Sequence, residues 1–151
     1  MSACIFLASD HPLKEIAPSR EYPLVINLDE GTIFDGGADD NFFLRTFADV
    51  MDYTDRKYGV SLEWNYTEGR ANRIIGYIKD ALRHTDCVEL WQVWLLGWYE
   101  YEDRPVIHRK YIPIGELMPE HIKAIEDAPI WNTPDKRNPE RPSFYCLTVT
   151  P

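Results

Sequence analysis

Leu90-Trp91-Gln92-Val93-Trp94-Leu95-Leu96-Gly97-Trp98-Tyr99 is the most apolar run in the chain and carries three of its five tryptophans. Successive side chains of a strand point to opposite faces. Val88, Leu90, Gln92, Trp94, Leu96 and Trp98 then share one face, and Trp91, Val93, Leu95, Gly97 and Tyr99 share the other. Both sets are mainly apolar. The spacing therefore predicts a central strand over 87–99, covered on both sides.

The segments on either side extend this reading. Upstream, Thr67 stands where a helix N-cap belongs, with Glu68 in the first turn near the positive end of the dipole. Ala71, Ile74, Ile75, Ile78 and Leu82 follow at helical spacing, which predicts a helix over 68–84 with Arg70, Arg73, Lys79 and Arg83 mainly on the opposite side. Gly76 inside it costs up to ~1 kcal/mol relative to alanine, and close approach of a neighbouring backbone is a sufficient reason for it. Before that helix, Val60, Leu62, Trp64 and Tyr66 alternate with polar residues as in a half-buried strand.

Downstream, Tyr101-Glu102-Asp103-Arg104-Pro105 reads as a turn and 106–113 as a strand running back. Leu117–Asp127 reads as a shorter helix, with Pro119 in the first turn, where its missing donor is not needed. Four prolines over 129–142 make an irregular surface loop, and Phe144–Thr150 is the last strand. From Gly59 the order is strand, helix, strand, strand, helix, strand, the βαββαβ order of the ferredoxin-like arrangement. The N-terminal third adds strands at 3–8, 24–29, 32–34 and 42–46, with a tight turn at Asp29-Glu30-Gly31. The expectation is one α+β domain spanning 1–151. It has a mostly antiparallel sheet, two helices, and the N-terminal strands widening the sheet or covering its other face.

A chain of 151 residues can bury roughly 70% of the surface its unfolded form exposes, enough for a core without staples. No apolar run reaches the roughly 18–20 residues a membrane span needs, and the N-terminus lacks a basic region before its apolar residues, so neither a membrane anchor nor a signal peptide is expected. Cys4, Cys87 and Cys146 lie in separate apolar segments, an odd and widely spaced set that suits reduced, buried thiols in a cytoplasmic protein rather than a disulfide framework or zinc. A net charge of −9 repels phosphate backbones and anionic lipid, which argues against nucleic acid and membrane surfaces and favours a basic partner.

The clearest candidate surface is acidic. Glu21 to Asp55 holds Glu21, Asp29, Glu30, Asp35, Asp39, Asp40, Asp49, Asp52 and Asp55 against a single basic residue, Arg45. An EF-hand read from Asp35 fails, because Gly37, Asp40 and Thr46 stand at its third, sixth and twelfth positions. Trp98, Tyr99, Glu100, Tyr101, Glu102 and Asp103 place aromatic rings beside carboxylates, as interfaces do. Partner-binding residues are therefore Asp35, Asp39, Asp40 and the 98–103 turn. Ser9-Asp10-His11 has the residue types of acyl transfer, but adjacent residues cannot make a triad. His11, His84, His108 and His121 are dispersed, with His84 in the last helical turn. Arg104, His108, Arg109 and Lys110 suit a charged edge strand. Backbone donors at the 68–84 helix start could meet an anion, which Glu68 would oppose. No glycine-rich phosphate loop is present, and neither a cofactor nor a metal is expected.

The leading expectation is a non-enzymatic acidic protein that binds a basic partner, of the kind an immunity protein makes with a toxin. The alternative is a small-molecule-binding protein or hydrolase with a sheet cleft using Asp10, His11, Glu63 or Tyr66. Homodimerisation through an uncovered sheet face is a third reading.

Overall fold

The computed structural model describes residues 2–95, 106–128 and 143–151. Eight strands appear: β1 (Ser2–Ser9), β2 (Val25–Asn27), β3 (Thr32–Phe34), β4 (Phe43–Thr46), β5 (Tyr58–Glu63), β6 (Val88–Leu95), β7 (Val106–Pro113) and β8 (Ser143–Thr150). Two helices join them, α1 (Glu68–Ala81) and α2 (Pro119–Glu126). Six strands form one sheet in the order β4-β5-β1-β6-β8-β7, and every pairing is antiparallel except β7 with β8. The fold is α+β with a mostly antiparallel sheet, as the sequence predicts.

The tryptophan-rich strand lies between β1 and β8, with Leu90 opposite Leu7 on one side and Leu147 on the other. Val88 through Val93 are buried. Residues 96–99 of the expected strand, the 101–105 turn and the 129–142 loop fall outside the described residues.

The lateral order does not confirm a ferredoxin-like sheet. The element sequence after Gly59 is as read, but β1 enters between β5 and β6, and β8 enters between β6 and β7. The N-terminal strand is thus an interior strand rather than an extension. β7 does not pair with β6; it pairs in parallel with β8, in register from Val106–Ser143 to Pro113–Thr150, and α2 forms the crossover that a parallel pair requires.

Alternation along the strands divides the core in two. Leu7, Leu44, Val60, Leu62, Val88, Leu90, Leu147 and Val149 meet Ala71, Ile74 and Ile78 of α1 and Ile122 of α2 on one face. Phe6, Ala8, Trp91, Val93, Phe144 and Cys146 face the other way, covered in part by Phe47, Val50 and Tyr53 from the segment after β4. The Phe6 and Trp91 rings stack with centroids 6.0 Å apart. The helix starts follow the expected chemistry: the Thr67 hydroxyl accepts the Arg70 N–H, and Pro119 takes the first position of α2. α1 ends at Ala81, so His84 lies beyond it in the following turn, where its ring stacks on His11 at 4.8 Å. Among the described residues, no helix is long and apolar enough to cross a membrane.

Two expectations about α1 are corrected. Arg70 is not on the solvent side but is fully buried. Gly76 has nothing within 4 Å of the position its Cβ would take, so no neighbouring backbone accounts for it.

β2 and β3 form a separate two-stranded ribbon. Val25 pairs with Phe34 and Ile26 with Ile33, while Gly31 turns the chain at φ 65°. The Asn27 side-chain oxygen accepts the N–H groups of Asp29 and Glu30, fixing the turn locally.

Candidate functional site

Two of the acidic residues read as partner-binding, Asp35 and Asp40, have internal hydrogen-bond partners. Asp35 takes two guanidinium donors of Arg70, at 2.9 and 3.0 Å, and also accepts from Gly37 N–H and the Asn65 amide. Arg70 reaches further, to the carbonyls of Ala38 and Asn65, so one buried side chain ties the 35–41 loop to the first turn of α1. The Arg70 hydrogen bonds hold the Asp35 carboxyl well below the usual carboxylate range. Asp39 lies against the same turn: its carboxylate fills the space that a Cβ at Gly69 would take. This chain's own carboxylate thus occupies the helix start that could have met an anion. Asp40 accepts from the Ser19 N–H and hydroxyl and from the Tyr22 hydroxyl, bonds that draw its pKa down strongly. Asp35 and Asp40 therefore fasten their loop to neighbouring segments, and Asp39 packs against the helix start. Trp98, Tyr99, Glu100, Tyr101, Glu102 and Asp103 lie outside the described residues.

Asp10, His11, Glu63 and Tyr66 are drawn to different places. Asp10 pairs with Arg56 at 2.8 Å, and Glu63 with Arg45 at 3.0 Å. Tyr66 donates to the Pro119 carbonyl. Glu63 lines a cavity of about 530 Å³ with Cys4, Trp64 and Gln92, and His11 lines another of about 280 Å³ with Tyr77 and His84. The cysteines are free; burial pushes Cys146 up to about 12 and Cys4 up to about 11, which makes both poor nucleophiles at neutral pH.

Two surfaces emerge that sequence patterning did not single out. The first is the β2–β3 ribbon. Leu24, Val25, Ile26, Ile33 and Phe34 are each between 59% and 67% exposed, and Leu28 at the turn is 89% exposed. The expectation is that these strands widen the sheet or cover its other face, yet they pair only with each other and both faces of the ribbon meet solvent. Asp29 and Glu30 cap its tip, and no basic residue occurs from Glu21 to Leu44.

The second is a cleft of about 630 Å³ on the sheet face opposite the helices, bordered by the Met51–Arg56 segment, Glu89, Trp91, Ile107, Arg109 and Phe144. Glu89 is 3% exposed and saturated with donors: the Thr54 hydroxyl, Trp91 Nε1 at 3.1 Å and Arg109 Nη1 at 2.8 Å, with Arg56 Nε at 3.7 Å. Burial disfavours its charged form, but the bonds from Thr54, Arg109 and Trp91 outweigh that and bring its pKa below the ordinary value. Arg109 Nη1 also reaches Thr148 Oγ1 at 3.1 Å and Cys146 Sγ at 3.4 Å, and its guanidinium lies 5.2 Å from the Trp91 ring centre. The sequence held one signal for this cluster. A carboxylate in an otherwise apolar interior strand requires a cation beside it.

Searched against known protein families, curated proteins and solved structures, the chain matches none.

Proposed function

We propose that this chain is a non-enzymatic binding protein that docks a basic protein partner through the β2–β3 ribbon and its acidic tip. The exposed ribbon carries the reading. Six large apolar side chains stand in solvent on one short hairpin, and burying such a side chain is worth about 1.5–3 kcal/mol. A cluster of this kind marks an interaction surface more readily than scattered apolar residues do. Charge favours a partner of opposite sign: Asp29 and Glu30 sit at the tip, and the whole chain carries −9. An antagonist of a toxin, of the immunity-protein kind, is the form of this reading that suits the size and charge. A cytoplasmic location would agree with its free cysteines.

The test compares the wild-type chain with Ile26→Ser/Ile33→Ser and with Asp29→Asn/Glu30→Gln. Each is used to recover partners from the native cell extract at low and high salt, with stoichiometry read by native mass spectrometry. The expected result is one stoichiometric basic protein, lost with the apolar pair and weakened by salt and by the neutralised tip. Failure to retain any stoichiometric partner, or retention indifferent to both variants, overturns the reading.

A further inference from the structure

We infer that the cleft beside Glu89 is a binding site for a small organic monocarboxylate with an apolar body, held by Arg109. The arginine is already oriented. Its Nη1 is fixed by Glu89 at 2.8 Å and Thr148 at 3.1 Å, and its plane lies near Trp91. No hydrogen-bond partner meets its Nε or Nη2 among the described residues. That pair of donors is the planar fork that matches two carboxylate oxygens. Because Glu89 has immobilised the guanidinium beforehand, less side-chain freedom is lost when a ligand arrives.

The walls select the rest of the ligand. Trp91, Phe144 and Ile107 border the cleft and offer apolar surface to an aryl or alkyl body. Glu89 has its donors and does not compete for Nε or Nη2. Arg56 is drawn toward Asp10 at 2.8 Å. Asp52 and Asp55 border the cleft and are exposed. They oppose a phosphate dianion more strongly than a monoanion. None of the β2–β3 residues lines this cleft, so the inference stands or falls separately from partner binding.

The test is calorimetric titration of the full chain with 3-phenylpropionate, phenethylamine and inorganic phosphate. The expected result is saturable binding of the acid at a Kd of about 1 mM or tighter, a range accessible to one ordered ion pair and an aryl contact. The amine and phosphate should bind more weakly. Arg109→Lys keeps a cation for Glu89 but loses the fork, and should weaken the acid by about tenfold or more. Ile107→Trp fills the cleft from the exposed edge strand, outside the ion-pair cluster, and should weaken it similarly; this variant decides the matter if Arg109→Lys does not fold. Absence of saturable acid binding, equal binding of amine or phosphate, or an acid affinity unchanged in the folded variants overturns the inference.

Discussion

Arg70 and Asp35 show how much of this fold rests on one pair of side chains. Arg70 is fully buried and makes bonds to Asp35, Ala38 and Asn65. Removing one member of a buried ion pair leaves the other charged and uncompensated, at a cost of about 3–5 kcal/mol. Asp35→Ala is expected to lose stability in that range by urea unfolding, and Asp35→Asn less, because an amide can still accept from Arg70. The pH dependence has a definite sign. Asp35 and Glu89 both have carboxyls drawn below their ordinary values in the folded chain. The unfolded chain therefore binds protons more readily, and stability rises with pH through this window. The contribution is complete above the ordinary carboxylate range near pH ~4. It is lost as pH falls toward the lower folded values. Urea midpoints should hold nearly level from pH 7 to about 5 and fall from there down to 3, and Asp35→Asn should show the shallower decline. An equal slope in both proteins would place the acid sensitivity elsewhere.

Among the elements, two glycines make opposite predictions. Gly76 lies on the exposed side of α1 with nothing near its missing Cβ. Gly76→Ala should stabilise the chain by up to ~1 kcal/mol through helix propensity, a rise of about 2–4 °C in Tm for a domain of this size. Gly59 in β5 is different: a Cβ there would stand 2.6 Å from Val50 Cγ2 and 3.2 Å from the Leu7 carbonyl. Gly59→Ala should destabilise by about 1–3 kcal/mol, as overpacking does. Thermal unfolding of the two variants reads both signs. The same contrast explains what was legible in the sequence. Periodicity is local, so α1, α2 and the buried tryptophan strand could be read from their own residues. The placement of β1 between β5 and β6, and of β8 between β6 and β7, depends on partners far along the chain. Polarity sorting put Arg70 on the wet side of its helix because the carboxylate that receives it lies 35 residues upstream in an irregular loop. For the same reason Glu89 could be suspected of needing a cation, but Arg109, Arg56 and Thr54 could not be identified as its neighbours. The β2–β3 ribbon was legible as a hairpin, but nothing in its own residues says that its apolar side chains remain uncovered.

Taken as a whole, the molecule sets a strong negative charge against an exposed apolar ribbon. Twenty-five acidic and sixteen basic residues leave −9, and such a charge repels a second copy while leaving a basic partner free to approach. The repulsion is long-range, whereas attraction between two apolar ribbons acts only on contact. Salt therefore separates them: the screening length is about 10 Å at 0.1 M and about 3 Å at 1 M. At pH 7 and low salt the chain should be monomeric by light scattering. Raising salt toward ~1 M at the same pH should promote self-association, since screening removes the charge barrier but not the apolar attraction. Holding pH at 7 keeps Asp35 and Glu89 ionised, so acid unfolding does not enter the comparison. Ile26→Glu/Ile33→Glu, which places like charges opposite each other on the ribbon, should stay monomeric throughout. If wild type and this variant associate alike in high salt, the ribbon is not the contact, and its exposed side chains lose their force as evidence for a docking surface.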